Sequence, residues 1–312
     1  MKGRTVKIFL VDGTPSGVVT AEIMNWTGRI TVAPRSQLPD LAKRTEVKKT
    51  GVYILTGENP INPIQTQVYV GESDNVWKRL TQHAQDTKKD FWQRTVIIIS
   101  KDENLTKAHV RYLESRLIQT ISQANRVNLS NGTAPDIPSL PEPDIADMEY
   151  FLGQILILLP VLGFSFASPL PTITRRAEVI QGDIQPEPSS TVFQMTYAGV
   201  QAFAQEVNNE FVVLKESTAR KKEVNSLTDP YIQMRKQLYA DGKLADGIDK
   251  DYWVFTQDVP FTSPSAAAAV IGGSPLNGRV NWKEKDTQKT YAEWQEEQIE
   301  MVTEETDADD VN

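Results

Sequence analysis

Apolar residues between positions 51 and 121 recur with two different periods. In 51–57 (GVYILTG) and 67–73 (QVYVGES) they form short runs rich in β-branched and aromatic residues. These predict two strands joined by a loop that contains Pro60 and Pro63. The run 94–100 (RTVIIIS) is apolar without a break, as expected of a strand covered on both faces, and predicts a central third strand. From 104 to 123 the period lengthens, and Val110, Leu113, Leu117, Ile118 and Ile121 fall on one stripe of a helix. A shorter helix is predicted from about Asn75 to Gln85, with Ser73 or Asp74 as its N-cap.

Around this block the pattern is looser. TVKIFLV and GRITVA, within residues 5–34, predict a small hairpin-like extension, and a short helix follows near Asp40 to Arg44. Residues 150–166 (YFLGQILILLPVLGFSF) are apolar but are interrupted by Gln154 and Pro160. A bilayer span needs about 20 apolar residues, so a buried core helix is expected here. The start, MKGRTVKIFLVDG, reaches Asp12 after too few apolar residues for a signal-peptide core and reads as a strand. Pro169, Pro171, Pro186 and Pro188 mark a linker. The expected organisation is a β-rich extension (1–47), a first domain with its closing helix (48–167) and a linker (168–190). A second small α+β domain (191–290) and an acidic disordered tail (291–312) complete it.

Composition narrows the chemistry. The 312 residues include no cysteine, which excludes disulfides and Cys-ligated zinc and fits a reducing, cytoplasmic setting. The net charge of −8 is carried by the tail, where residues 293–312 hold nine acids and no Lys or Arg. Without those nine the remainder is at about +1, so overall charge does not exclude a nucleic-acid partner.

The candidate chemistry lies in the first domain. Glu114 falls among the apolar stripe residues, where an acid needs either a buried partner (Arg79, Arg111 or Arg116) or a metal. Arg79 and His83 are four residues apart, on one helix face just beyond Tyr69. An acid for a hard cation, an arginine for the phosphate and a phenol or imidazole for the proton of water are what phosphodiester hydrolysis requires.

With these residues in view, GVY at 51–53 and YVG at 69–71 resemble the paired signature of the GIY-YIG endonuclease family. Arg79 and His83 match its helix arginine and the residue four later, Glu114 its metal-binding glutamate and Asn128 its downstream asparagine. The resemblance covers about residues 48 to 130. It implies a small three-stranded, mostly antiparallel sheet flanked by helices, one Mg²⁺ or Mn²⁺, and cleavage of DNA. It also implies roles: Tyr53 as general base, with a neighbouring cation or base lowering its pKa, and Tyr69 on the phosphate or water, though the two could exchange. Arg79 would stabilise the transition state, Glu114 hold the metal, and Asn128 support the loop or the phosphate. Gly71, Lys78 and Arg79 are the expected substrate contacts. Residues 261–283 are similar to a C-terminal domain of unknown function that often follows such modules in bacterial proteins.

Other residues carry plainer expectations. His109 is expected on an exposed helix face, and Trp77 and Trp92 in or beside the core. The pairs Lys43–Arg44, Lys48–Lys49 and Lys88–Lys89 are either solvated faces or phosphate contacts. The stretch IGGSPLNGR lacks the Lys-Ser/Thr ending of a nucleotide loop. The leading expectation is a cytoplasmic, metal-dependent DNA endonuclease whose second domain recognises substrate or a protein partner, or forms a homodimer. No membrane association is expected. The alternatives are a non-cleaving binding or adaptor module on the same fold, and a nuclease acting on RNA or structured junctions.

Overall fold

The computed structural model describes residues 3–60, 65–132, 136–168, 191–207, 210–298 and 300. It divides into two units, Met1–Leu170 and Pro171–Asn312. In the first, β1 (Val6–Leu10), β2 (Val19–Ile23) and β3 (Gly28–Pro34) form an antiparallel meander. The short helix α1 (Leu38–Leu41) leads to β4 (Gly51–Glu58), β5 (Thr66–Ser73), α2 (Val76–Ala84) and β6 (Arg94–Ser100). Helix α3 (Lys107–Ala124), the short β7 (Asn128–Leu129) and helix α4 (Glu142–Val161) follow.

The strands make one seven-stranded sheet in the order β1-β2-β3-β6-β4-β5-β7. It is antiparallel except for the β5–β7 pair. The expected three strands, β4, β5 and β6, are adjacent, but they are the middle of a larger sheet rather than a sheet of their own. The reason lies in β6, which buries Val96 and Ile98 on one face and Ile97 and Ile99 on the other. A strand apolar on both faces is best paired along both edges. Strand β3 fills the second edge without a gap, from Gly28 opposite Ser100 to Pro34 opposite Arg94.

The two faces carry different helices. Val52, Ile54, Val68, Val70, Val96 and Ile98 pack with Val110, Leu113 and Leu117 of α3 and with Phe151 and Ile155 of α4. On the other face Tyr53, Leu55, Ile97 and Ile99 pack with Leu41, Trp92, and Val76 and Leu80 of α2. The cap of α2 is Asn75 rather than Ser73 or Asp74: its Oδ1 accepts from the Lys78 N–H at 3.0 Å. The Ser73 hydroxyl instead holds Asn75 in place by bonding its backbone. Helix α3 starts with a capping box formed by Thr106 and His109. Helix α4 begins at Glu142, earlier than the apolar run suggests, and buries Phe151, Leu152, Ile155, Leu158 and Leu159. Among the described residues no helix is long and apolar enough to cross a membrane.

The second unit contains β8 (Val192–Tyr197), β9 (Val200–Val207), β10 (Glu210–Val213), β11 (Thr218–Arg220), α5 (Asp229–Ala240), β12 (Leu244–Asp246) and β13 (Tyr252–Phe255). Strand β14 (Val259–Phe261), α6 (Pro264–Gly272), α7 (Gly278–Asn281) and β15 (Lys283–Glu284) complete it. One sheet runs β14-β10-β9-β8-β15 and a smaller one β11-β13-β12. The alanine-rich α6 is the buried centre, started by the Ser263 hydroxyl, which accepts from the Ala266 N–H. Residues 291–298 are helical, and Tyr291 and Trp294 pack on Phe193 at 5.1 and 5.2 Å between ring centres. The region expected as a disordered tail therefore opens with a packed helix. The linker span 169–190 and residues 301–312 lie outside the described residues.

Arg235 of α5 is completely buried. Its guanidinium pairs with Glu223 at 3.0 Å, donates to the carbonyls of Val270, Arg220 and Lys221, and stacks 4.9 Å from the Trp253 ring. Arg235→Ala strands three carbonyls and a carboxylate at once. It should cost about 3–5 kcal/mol in chemical denaturation of the full chain. A loss under about 1 kcal/mol would show that the guanidinium does not tie the unit together.

Candidate active site

Strands β4 and β5 set the first contact. Their register places Tyr53 opposite Gly71, with Tyr53 only 1 % exposed. A Cβ at Gly71 would stand 2.3 Å from the Tyr53 hydroxyl, so only glycine leaves room for it. Strand alternation puts Tyr69 on the same face as Gly71. Helix α2 crosses that face, and its 3.6-residue period turns both Arg79 and His83 toward the two phenols. The Tyr53 hydroxyl lies 2.8 Å from Nε2 of the buried His83. The His83 ring is 5.6 Å from that of Tyr53 and meets Tyr69 edge-on at 5.3 Å. Just past α2, the turn Thr87–Lys89 brings the Lys89 ammonium to 3.2 Å from the centre of the Tyr69 ring.

Burial and charge decide the protonation states. Desolvation, followed by Arg79 and Lys89, pushes His83 down to about 4, so at neutral pH the imidazole is uncharged. Burial, reinforced by Tyr69, pushes the Tyr53 phenol up, although Arg79 opposes the shift. The expected lowering of the Tyr53 pKa is therefore not what the site produces. With both groups neutral, the tautomer of His83 sets the direction of the bond, and with the proton on Nδ1 the phenol O–H donates to Nε2. Contact with the Tyr53 phenol raises the Arg79 pKa, and burial lowers that of Lys89. Arg79 and Lys89 thus stand beside a neutral imidazole.

Glu114 approaches along the open edge of β5. There the Asn131 side chain pairs with both backbone groups of Val70, accepting from its N–H at 2.9 Å and donating to its carbonyl at 2.8 Å. Two residues on, the Glu72 backbone N–H points the same way and helps to lower the Glu114 pKa. Burial and the charge of Glu72 outweigh it and raise Glu114 to about 7, against smaller opposing effects of Lys107 and Arg111. Lys107 binds Glu72 at 2.6 Å. Among the described residues no Glu114–Arg ion pair forms: Arg116 is committed to Glu149 at 2.6 Å, Arg79 borders the phenols, and the exposed Arg111 acts on Glu114 through its charge alone.

A half-buried carboxylate that keeps its proton to near neutrality, with a second carboxylate beside it, is a set of hard oxygen donors. Such a set fits Mg²⁺ or Mn²⁺. Among the described residues no three His, Asp or Glu side chains converge on one point. Water and substrate oxygens would complete the coordination, as Mg²⁺ readily accepts.

Tyr53, Tyr69, Gly71, Arg79 and His83 are thus brought together, with Glu114 at the adjoining strand edge. Asn128 is not part of the group: it lies exposed in β7 opposite Gln67, and Asn131 is the asparagine that closes the β5 edge. Lys78 is on the exposed side of α2. His109 is tied to the α3 cap and lies 3.4 Å from Asp144. Trp92 is core, with its indole N–H bonded to Thr95, and Trp77 is half-buried. Of the basic pairs, Lys43 and Arg44 face Asp40 and Glu46, and Lys49 faces Glu103. The residues not singled out from sequence are Glu72, Asn131 and, within its pair, Lys89. Glu72 directly follows the YVG triplet, a positional signal that could have found it. A cavity of about 400 Å³ opens at the far end of β4, lined by Arg94, Arg126 and Phe164, and contains none of these residues.

Residues 193–295 match the family model of a domain of unknown function, DUF4357. The match lies wholly in the second unit, so the likeness of residues 48–130 to a nuclease rests on the residues above. No curated protein and no solved structure matches the chain.

The two shifted groups pull stability in opposite directions. His83 is depressed on folding, so its contribution is complete above pH 6.5 and is lost as pH falls toward 4, by roughly 3 kcal/mol at most. Glu114 is raised, so its contribution is complete below pH 4.5 and is lost as pH rises through about 7. His83→Gln should therefore flatten the fall in melting temperature between pH 6.5 and 4.5; parallel curves for mutant and wild type would remove His83 from the account. At pH 8, Mn²⁺ should raise the melting temperature of the wild type but not of Glu114→Gln, and equal shifts would place the ion elsewhere.

Proposed function

We propose that this protein is a metal-dependent endonuclease that hydrolyses phosphodiester bonds in DNA. The observation that carries this reading is the buried hydrogen bond between Tyr53 and a neutral His83, beside two cations. A phenol whose pKa is raised cannot take a proton from water and keep its own. It can take that proton while passing its original one to the imidazole. Water then loses a proton to the Tyr53 oxygen, the Tyr53 proton moves to Nε2, the new hydroxide attacks phosphorus, and the P–O ester bond opposite it breaks, its alkoxide taking a proton from solvent water. The imidazole, not the phenol, is the final acceptor.

His83 is a weak base in the empty site because burial, Arg79 and Lys89 all oppose its charge. A phosphodiester anion seated against Arg79 neutralises part of that opposition, so substrate binding itself raises the basicity of the relay. Arg79 holds the phosphate and gains strength as charge develops on its oxygens. Tyr69, braced between His83 and Lys89, offers its hydroxyl to the phosphate. Glu114 and Glu72 supply the carboxylates for a divalent cation, which when bound adds positive charge at the phosphoryl and leaving oxygens. Lys107, at 2.6 Å from Glu72, holds that charge in check meanwhile. In this reading the second unit, which holds the DUF4357 domain, recognises substrate or a protein partner.

Glu114→Gln tests this reading most economically. Plasmid, single-stranded DNA and RNA are incubated with each protein in Mg²⁺, Mn²⁺ and EDTA. Cleavage should fall at least about 100-fold in the variant while DNA affinity is kept or improved. Its melting temperature without metal at pH 8 should equal or exceed that of the wild type, since a strained carboxylate has become a neutral amide. A variant that melts earlier yet still cuts contradicts the assignment. Arg79→Ala should lose about 10²–10³-fold in cleavage and also bind more weakly, because its contact exists before and during the reaction. Cleavage of RNA alone would keep the chemistry and change the substrate.

A further inference from the structure

Two lysines follow α2, and the structure treats them differently. Lys88 is exposed, whereas Lys89 is half-buried with its ammonium 3.2 Å from the centre of the Tyr69 ring. The turn that carries them is fixed at its start by the Asp86 side chain, which accepts from the Lys88 N–H at 2.9 Å. At its end the Trp92 N–H bonds to the Lys89 carbonyl at 3.0 Å, and Trp92 is itself core. Both anchors lock the backbone of Lys89 while leaving its side chain to choose among rotamers. The ring it covers belongs to the tyrosine whose hydroxyl faces the same space as Arg79.

We propose that Lys89 is a second phosphate-binding cation of this site, parked on the Tyr69 ring until substrate arrives. The inference deepens the nuclease reading and rests on it. A cation–π contact is the weaker of the two options open to this ammonium, because a charge-assisted bond to a phosphate oxygen is short, directional and stronger. A phosphate oxygen bonded to the Tyr69 hydroxyl lies within one rotamer change of Nζ. Arg79 and Lys89 would then hold the phosphate from two sides. Lys89 would also leave the ring face free to turn with the substrate. Among the described residues Asp86 is the acid whose charge acts on Lys89, and one oxygen of its side chain already caps the turn. Lys89 acts on the substrate, on the orientation of Tyr69 and, through its charge, on His83, and itself neither gives nor takes a proton.

Binding measurements in the full-length Glu114→Gln background, with EDTA present, keep the DNA intact. Fluorescence anisotropy with a short labelled duplex is recorded across salt concentrations for Lys89, Lys89→Met and Lys89→Arg. Loss of one phosphate contact should lower the slope of log affinity against log salt by about 0.9. Lys89→Met should show that decrease together with about tenfold weaker binding at low salt, and Lys89→Arg should recover both. In the otherwise wild-type protein, Lys89→Met should raise KM more than it lowers kcat. If Lys89→Met binds with unchanged slope and affinity and only its melting temperature drops, the lysine merely packs on Tyr69 and the proposal is overturned, with the nuclease reading intact. If no variant binds nucleic acid at all, that reading and this proposal fail together.

Discussion

Tyr53 is buried in a cluster with Leu55, Leu80, Trp92 and Ile97, and the bond of its hydroxyl to His83 constrains much of the first unit. A buried hydroxyl without a partner costs free energy, and so does a buried imidazole that must charge. The two groups satisfy each other only if β4 and β5 pair in one register, because a slip of one residue would turn Tyr53 to the opposite face. Gly71 must lie across from Tyr53, since any side chain there would occupy the space of the hydroxyl. Helix α2 must also begin at Asn75, so that its second turn delivers His83 to the same point. Register, glycine and helix start are three consequences of one hydrogen bond.

Around that pair the charges divide into two sets separated by the edge of β5. On the phenol side burial, with Arg79 and Lys89 beside it, keeps the imidazole neutral, and the two cations suit an anion. At the edge stand Glu72 and Glu114, which repel each other and welcome a cation. Each set is under electrostatic stress in the free protein, and on the proposed reading a phosphodiester with its counter-cation would relieve both. The stress is a stability cost held at the site, as expected where binding energy is to be converted into reactivity. The buried Arg235 network of the second unit belongs to that unit's own core.

The amphipathic and unbroken apolar patterns made most elements of the first unit readable in advance. The stripe Val110–Leu113–Leu117–Ile118–Ile121 does face the sheet, and 94–100 is covered on both faces. What the pattern did not reveal depends on long-range pairing. Nothing local in GRITVA says that it will pair with RTVIIIS, so a seven-stranded sheet was not foreseen. Arg79, His83 and Glu114 were legible from spacing, but the neutral state of His83 was not, because it follows from burial and from a lysine six residues on. Asn128 and Asn131 look alike in sequence, and only the outward-facing backbone of Val70 selects the second. Ser73, Asp74 and Asn75 are all good caps, and the choice fell to the one whose backbone Ser73 could hold.

The central claim is that proton transfer runs through the Tyr53–His83 bond, and replacing a single oxygen tests it most directly. Single-turnover cleavage of plasmid DNA by full-length wild type and Tyr53→Phe, in Mn²⁺ and in EDTA, isolates that oxygen with the fold and both charge sets unchanged. The account predicts metal-dependent nicking by the wild type, none in EDTA, and a loss of about 10²–10⁴-fold in Tyr53→Phe with DNA affinity preserved. Cleavage by Tyr53→Phe at the wild-type rate would contradict it.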